Sequence, residues 1–232
     1  MNTHRRVAIV TGGDGGIGAA IVTRLRADGL AVVAATEERY DLAQGDACRR
    51  LVADCVAEFG GVDVLVNNAA VTGPAALMTL DECTDERFDH VLAVNLGAAF
   101  RCARAAAPAM RQRGGGVIVN IGSVAAFAAQ RNAVAYAASK AGLLGLTRAL
   151  AFDLAADDIR VVFVAPGDID IPTDAGTPDA RPDTDATWVR ATPLGRRGTP
   201  TDVAGLVSFL CSPDAAFVTG TSISVDGGWL TY

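Results

Sequence analysis

Tyr136 and Lys140 stand four residues apart in Tyr136-Ala137-Ala138-Ser139-Lys140. On a helix that spacing puts both side chains on one face, about one turn apart. An ammonium beside a phenol favours the phenolate. Lys140 is therefore expected to draw the tyrosine down from its ordinary pKa of about 10 toward neutrality. A phenol tuned that way exchanges a proton with an alcohol or a carbonyl near pH 7. Ser123 lies thirteen residues before Tyr136, at the end of Val119-Asn120-Ile121-Gly122-Ser123. A strand ending there can turn a hydroxyl toward the helix. Any long helix can contain a tyrosine and a lysine at this spacing, so the pair acquires meaning from what accompanies it.

What accompanies it is a glycine-rich loop. Arg5 to Thr11 is a short β-branched run that reads as a buried parallel strand. Thr11-Gly12-Gly13-Asp14-Gly15-Gly16-Ile17-Gly18 follows, and then a helical pattern from Ala19 to Ala27. Strand, glycine turn and helix make a phosphate cradle: the glycines let backbone N–H groups approach a pyrophosphate, and the helix N-terminus favours the anion. Leu30 to Ala35 reads as the second strand. In dinucleotide folds an acid near its end bonds the adenosine ribose. The residues there are Thr36-Glu37-Glu38-Arg39-Tyr40-Asp41-Leu42. Glu37 and Glu38 repel a 2′-phosphate and Arg39 attracts one, while the loop offers Asp14 and no base. The acidic majority favours NAD over NADP. A parallel crossover needs about a dozen residues, and only about half a dozen lead to Asp41-Leu42. A helix is therefore expected to be missing here, with any strand at 40–42 reached by a tight link.

Further along, Asp46 to Phe59 reads as a helix closed by Gly60-Gly61, and Val62 to Val66 as a buried strand ending in Asn67-Asn68-Ala69-Ala70. Small and amide residues at the carboxyl end of a strand belong in a ligand crevice. A long helical stretch, Asp85 to Arg113, carries Asn95, a poor helix former, and Pro108, which can kink it. Val117 to Ile121 is a strand, and the Tyr136 helix runs to about Ala155. Ile159 to Val164 is another strand, ending in Ala165-Pro166-Gly167. Residues 168–200 are rich in Pro, Asp and Thr and read as a substrate lid, with a short helix near Thr187 to Arg190. A helix from Thr201 to Leu210 and a strand from Thr221 to Val225 complete the chain. Asn120, Asp63 and His90 read as structural. Trp188 and Trp229 either line the pocket or pack.

The 232 residues are half hydrophobic, with net charge −6 and mean hydropathy +0.29. That length suits one α/β domain spanning 1–232. There is no basic footprint for nucleic acid, and no apolar run approaches the ~18 residues that cross a bilayer. Five cysteines without C-x-x-C spacing and two distant histidines point to reduced, mostly buried thiols and to no metal. The expected location is the cytoplasm.

These pieces together resemble the short-chain dehydrogenase/reductase family over nearly the whole chain. The resemblance rests on T-G-x-x-x-G-I-G at Thr11 to Gly18, N-N-A at Asn67 to Ala69, Val94-Asn95, Ser123, Y-x-x-x-K, and Pro166-Gly167. It implies a Rossmann-like doubly wound parallel sheet of order 3-2-1-4-5-6-7, with helices on both faces and a shortened link between strands two and three. It implies Tyr136 as general acid/base, with Lys140 on the nicotinamide ribose and lowering the phenol's pKa. Ser123 would hold the substrate oxygen, and Asn95 would anchor a water relay to Lys140. Cofactor contacts are implied from Gly12, Asp14, Gly16, Ile17, Gly18, Thr36, Glu37, Asp41, Leu42, Asn68, Ala69, Ala70, Tyr136, Lys140, Pro166, Gly167 and Ile169. A homotetramer or homodimer is implied through the helices that begin near Asp85 and Tyr136.

The chain departs from the family pattern at four places. Ala70 replaces a usual glycine. Ile171 stands where a threonine often bonds the carboxamide, with Thr173 nearby. The helix between strands two and three is shortened away. Thr36 stands where NAD-preferring members often have Asp.

The expected function is hydride transfer between NAD, or NADP, and a secondary alcohol or ketone. One alternative is an NADPH-linked ketoreductase of acyl thioesters or polyketide-like carbonyls, with Arg196 and Arg197 as the basic entrance. Another is a non-catalytic dinucleotide sensor or scaffold.

Overall fold

The computed structural model describes residues 5–171 and 192–231. Its frame is one parallel sheet. The strands are β1 (Val7–Thr11), β2 (Ala31–Ala35), β3 (Val64–Asn67), β4 (Gly116–Ile121), β5 (Ile159–Pro166) and β6 (Ser222–Val225), in the order β2-β1-β3-β4-β5-β6. Every pairing is parallel. The helices are α1 (Gly16–Ala27), α2 (Gly45–Phe59), α3 (Asp85–Leu92), α4 (Ala98–Arg113), α5 (Val134–Leu154) and α6 (Pro200–Cys211).

Alternation along the strands assigns the two faces. In β1, Val7 and Ile9 join α2 and α4 in one core. Ala8 and Val10 join α1 and α6 in the other. β4 and β5 divide the same way: Ile118 and Val161 point to the first core, Val119 and Val162 to the second. Successive side chains of a strand face opposite sides, so a sheet covered on both faces needs the near-continuous Val/Ile runs seen here.

The expected seven-strand order is corrected at one edge. Among the described residues the sheet has six strands, and residues 40–42 form none. The link from β2 to α2 is too short for a parallel crossover. The chain instead turns directly into α2, and Tyr40 drops into the core at 1% exposure. Its hydroxyl donates to Asp54 at 2.7 Å, while Arg39 and Arg50 stack on its ring at 5.1 and 5.5 Å. This tyrosine occupies the space beside the edge strand.

The Asp85–Arg113 stretch is likewise divided, at Asn95. Ala93–Gly97 forms a π-helical turn between α3 and α4, whereas Pro108 is accommodated inside α4. Asp63 braces the β1–β3 junction by accepting from the Val7 N–H at 2.7 Å. Asn120 is buried and donates to Thr147 at 2.9 Å while accepting from Asn67 at 2.8 Å. Both residues are structural, as their positions suggest. Four of the five cysteines are buried, and all five are free thiols. Among the described residues no helix is long and apolar enough to cross a membrane. The proposed lid falls largely on residues 172–191. Thr173, Trp188 and the short helix near 187–190 lie outside the described residues. Trp229 is buried.

α6 opens with a reciprocal cap. Asp202 N–H donates to Thr199 Oγ1, and Thr199 N–H donates to Asp202 Oδ2 at 2.7 Å. Arg196 adds two bonds to the same carboxylate at 2.8 and 3.0 Å. The Arg196 guanidinium, followed by the Thr199 bonds, holds the Asp202 carboxyl well below the usual range. A carboxyl depressed in the folded state stabilises fully above its unfolded pKa of about 3.9, and that contribution is lost as pH falls below it. Asp202→Asn keeps the Thr199 cap and is therefore expected to cost about 0.5–1 kcal/mol at pH 7, the scale of a surface ion pair with Arg196. Thermal melts at pH 7 and pH 3 should show the gap between mutant and wild type shrinking in acid.

Candidate active site

Four elements end at one side of the sheet and supply the site. β1 leads into the glycine loop. Gly12 takes φ +60°, where a side chain would be strained, and a Cβ there would come within 3.1 Å of Ala69. Gly18 lies beneath the loop. A Cβ on it would sit 1.9 Å from the Gly12 carbonyl oxygen, so Gly18 lets α1 pack against the end of β1. It does not line the cavity described below. Gly15 is the N-cap of α1; it offers no side-chain cap, and the first turn carries no acid. A Cβ on Gly15 would meet nothing within 4 Å. The start of α1, at Gly15, Gly16 and Ile17, borders the cavity described below, and a helix N-terminus there suits an anionic pyrophosphate.

β3 delivers Asn67 and Asn68 to opposite faces. Asn67 turns into the core toward Asn120. Asn68 donates to the carbonyls of Thr11 and Gly12 at 2.9 and 3.0 Å. Thr11 Oγ1 accepts from the N–H groups of Asn68 and Ala69 at 2.9 and 3.0 Å. Thr11 thus ties the ends of β1 and β3 together, a role not apparent from its place at the head of the loop.

A cavity of about 490 Å³ is lined by Gly12, Asp14, Gly16, Ile17, Asn68, Ala69 and Ala70 on one side and by Ser123, Tyr136, Lys140, Pro166, Gly167 and Ile169 on the other. A second cavity of about 460 Å³ shares Gly12, Asp14, Ala69 and Ala70 with the first and extends to Thr36, Glu37, Asp41 and Leu42. Two cavities meeting at a glycine loop fit a two-part nucleotide with its phosphates in the middle. Ile171 lies over Gly16 and also lines the first cavity, as do Thr72, Leu77 and Gln130. Those last three had no sequence signal, because loop residues reach the site only through the tertiary path of the chain.

Asn95 lies behind the wall. Its Oδ1 accepts from the Val71 N–H at 2.7 Å, and its Nδ2 donates to the Val71 carbonyl at 3.2 Å and to Ser139 at 3.1 Å. The amide imitates a backbone partner for Val71. It thereby ties the loop after β3 to the π-helical turn and to α5.

Tyr136, Lys140 and Ser123 do come together, but their electrostatics differ from the simple expectation. Burial pushes the Tyr136 phenol above its ordinary value, and the Ser123 hydrogen bond opposes this only in part. Lys140 is buried and its Nζ donates to the Ile121 carbonyl at 2.9 Å, 5.6 Å from the Tyr136 ring centre. Burial lowers the lysine to about 8. The spacing of the pair carries no information on desolvation, and in this structure desolvation sets the direction of the phenol's shift. The result is a neutral phenol bonded to Ser123, beside an amine that titrates near physiological pH.

The chain can now be set against known proteins. A family model described as enoyl-(acyl carrier protein) reductase matches residues 35–230. An acetoacetyl-CoA reductase from Rhizobium meliloti is 39% identical over 240 residues, covering 96% of this chain and 98% of that protein. A cis-4-hydroxycyclohexanecarboxylate dehydrogenase from Sinomonas cyclohexanicum is 37% identical over 244 residues, covering 97% and 96%. The solved acetoin dehydrogenase from Salmonella typhimurium aligns with a TM-score of 0.83 at 30% identity, covering 98% of this chain and 96% of that one. The substrates named differ among the three proteins, while oxidation or reduction at carbon is common to them.

Proposed function

We propose residue roles and a cofactor preference from one premise: the chain belongs to the short-chain dehydrogenase/reductase family and is an NAD(P)-dependent oxidoreductase. The observation that carries the roles is the convergence of Ser123, Tyr136 and Lys140 on a cavity continuous with the glycine loop. When bound, the nicotinamide cofactor supplies or accepts the hydride. Tyr136 holds the proton at its phenolic oxygen and exchanges it with the oxygen of a secondary alcohol or ketone. Ser123 Oγ orients that same oxygen. Lys140, when protonated, offsets negative charge developing on the phenol, and it would bond the nicotinamide ribose. Asn95 keeps Val71 and α5 in register behind them and, on the family reading, anchors a water relay to Lys140. Gly12, Asp14, Gly16 and Ile17 would hold the pyrophosphate, and Gly18 lets the loop close. Thr36, Glu37, Asp41 and Leu42 would hold the adenosine half. Asn68, Ala69, Ala70, Pro166, Gly167 and Ile169 would line the path to the nicotinamide.

NAD is the preferred cofactor on this reading. Glu37 and Asp41 line the adenosine cavity, and either carboxylate would repel a 2′-phosphate. Arg39, the base that could attract one, lies on the Tyr40 ring and 3.8 Å from Asp54. No Lys or Arg lines that cavity among the described residues. Side-by-side equilibrium titrations with NADH and NADPH test this. NADH is expected to bind at least about tenfold tighter, a difference of about 1.4 kcal/mol, and Glu37→Ala should narrow the gap. Tighter NADPH binding would overturn the preference.

A second reading, an NADPH-linked reductase of acyl thioesters, is favoured by the relative named acetoacetyl-CoA reductase. Against it, the two arginines suited to a phosphopantetheine arm are engaged elsewhere, Arg196 with Asp202 and Arg197 with Asp168 and Asp170. Assembly into a homodimer or homotetramer through the α4 and α5 faces would cover Phe100 and Phe152, which are exposed in the single chain.

A further inference from the structure

After β5 the chain runs Gly167-Asp168-Ile169-Asp170-Ile171, and Gly167, Asp168, Ile169 and Ile171 form one wall of the nicotinamide-side cavity. The chain returns beside this wall at Gly198. Ile169 and Gly198 form a parallel bridge. Gly198 N–H donates to the Asp168 carbonyl at 2.9 Å, and Asp170 N–H donates to the Gly198 carbonyl at 2.8 Å. Arg197 closes over the junction. Its Nε and Nη2 donate to the two carboxylate oxygens of Asp168, both at 3.0 Å, and its Nη1 donates to Asp170 at 2.8 Å. Nη2 also reaches the Ile169 carbonyl at 3.3 Å. The neighbouring Arg196 bridges the other way, to the first turn of α6.

This arrangement has a geometric and an electrostatic side. One planar guanidinium engages two carboxylates and a carbonyl at once, and an ammonium cannot reproduce that fork. Asp168 lines a cavity that already contains Asp14. Without Arg197, the Asp168 and Asp170 carboxylates would lose the cation that pairs them, and Asp168 stands in the wall of a site for an anionic cofactor. The Arg197 side chain is 29% exposed and that of Asp168 21%, so solvent screens the pair less than a fully exposed surface bridge.

We propose that Arg197 is a positioning residue for cofactor binding. It fixes the Gly167–Ile169 wall and offsets part of the negative charge of the two carboxylates next to it. The proposal rests on the reading of this cavity as the nicotinamide site.

The test uses the full-length protein, wild type and three variants: Arg197→Met, Arg197→Lys, and Arg197→Met combined with Asp168→Asn and Asp170→Asn. Measured are NADH and NADPH dissociation constants at low and high salt, amide exchange at Asp170 and Gly198, and the steady-state constants. Arg197→Met is expected to weaken cofactor binding by about tenfold or more, the scale of losing charge-assisted bonds. It should speed exchange at both amides and raise the cofactor KM far more than it lowers kcat. Arg197→Lys should keep part of the affinity while both amides exchange faster. The triple variant should regain part of the affinity lost in Arg197→Met, and most clearly at low salt. An Arg197→Met protein with cofactor affinity within twofold of wild type would overturn the proposal, whatever its amide exchange. If that variant does not fold, Arg197→Lys decides: a severalfold weaker cofactor supports the proposal and wild-type affinity refutes it. A wild-type protein that binds neither cofactor removes the cavity reading and the proposal together, which separates that failure from the failure of Arg197 alone.

Discussion

Tyr136→Phe is expected to fold and to bind cofactor within about threefold of wild type while losing about 10²- to 10⁴-fold in kcat, the range of general acid–base contributions. The change removes one oxygen and keeps the ring, so the packing around α5 survives. The Ser123 hydroxyl keeps its bond from the Ala125 N–H at 3.1 Å, which leaves the end of β4 in place. What disappears is the phenolic oxygen proposed to carry the proton, in a cavity that Ser123 and Lys140 also line. Circular dichroism, cofactor titration and steady-state rates on an alcohol and ketone panel separate these effects. A Phe variant that turns over at the wild-type rate would sink the assignment of Tyr136 as acid/base.

Lys140→Met should divide stability from activity in a pH-dependent way. The lysine is buried, and burial lowers it from an ordinary value near 10.5 to about 8. Between about pH 8 and pH 10.5 the unfolded chain therefore holds the proton more tightly than the folded one, and stability rises with pH through that window. A shift of this size is linked to about 3 kcal/mol, none of it available to methionine. Chemical denaturation of wild type and Lys140→Met at pH 7.5 and pH 10 should show the wild type gaining on the mutant at the higher pH. Activity should fall by about 100-fold or more, because the phenol loses its neighbouring cation. A stability difference independent of pH would mean that the amine is not desolvated as the structure has it.

Much of the frame is readable from short-range pattern. Val7–Thr11 and Val117–Ile121 alternate between two cores, and a strand buried on both faces has to be apolar throughout. The glycine loop announces its own turn, since Gly12 and Gly18 stand where a side chain would be strained or would collide. The Asp41-Leu42 link was readable as too short by counting residues. That Tyr40 packs there was not legible, because its partners Asp54 and Arg50 come from α2. The gathering of Ser123, Tyr136 and Lys140 was legible from the whole motif set, but the direction of the phenol's shift was not, because desolvation depends on everything packed around the group. Asn95 betrayed itself as an ill-suited helix residue, yet its partner Val71 is 24 positions away. Arg197 read as a candidate for a basic entrance. Its partner Asp168, 29 positions earlier, becomes its neighbour only once β5 and α6 are side by side.

The packing of α1 against α6 sets a schedule for the making of this protein. Ile21, Val22 and Leu25 of α1 share a core with Val203, Val207 and Leu210 of α6, and Ser208 donates to Asp28 at 2.6 Å across 180 positions. Arg6 is tied to the Cys211 carbonyl across 205. A ribosome adding about 5–20 residues per second leaves roughly 10–40 s between the emergence of the first helix and that of its cover. For that interval the part of this core that α6 covers is open. The nascent chain is thus exposed to self-association for most of its synthesis, and a chaperone that shields apolar surface would act on this face until α6 arrives.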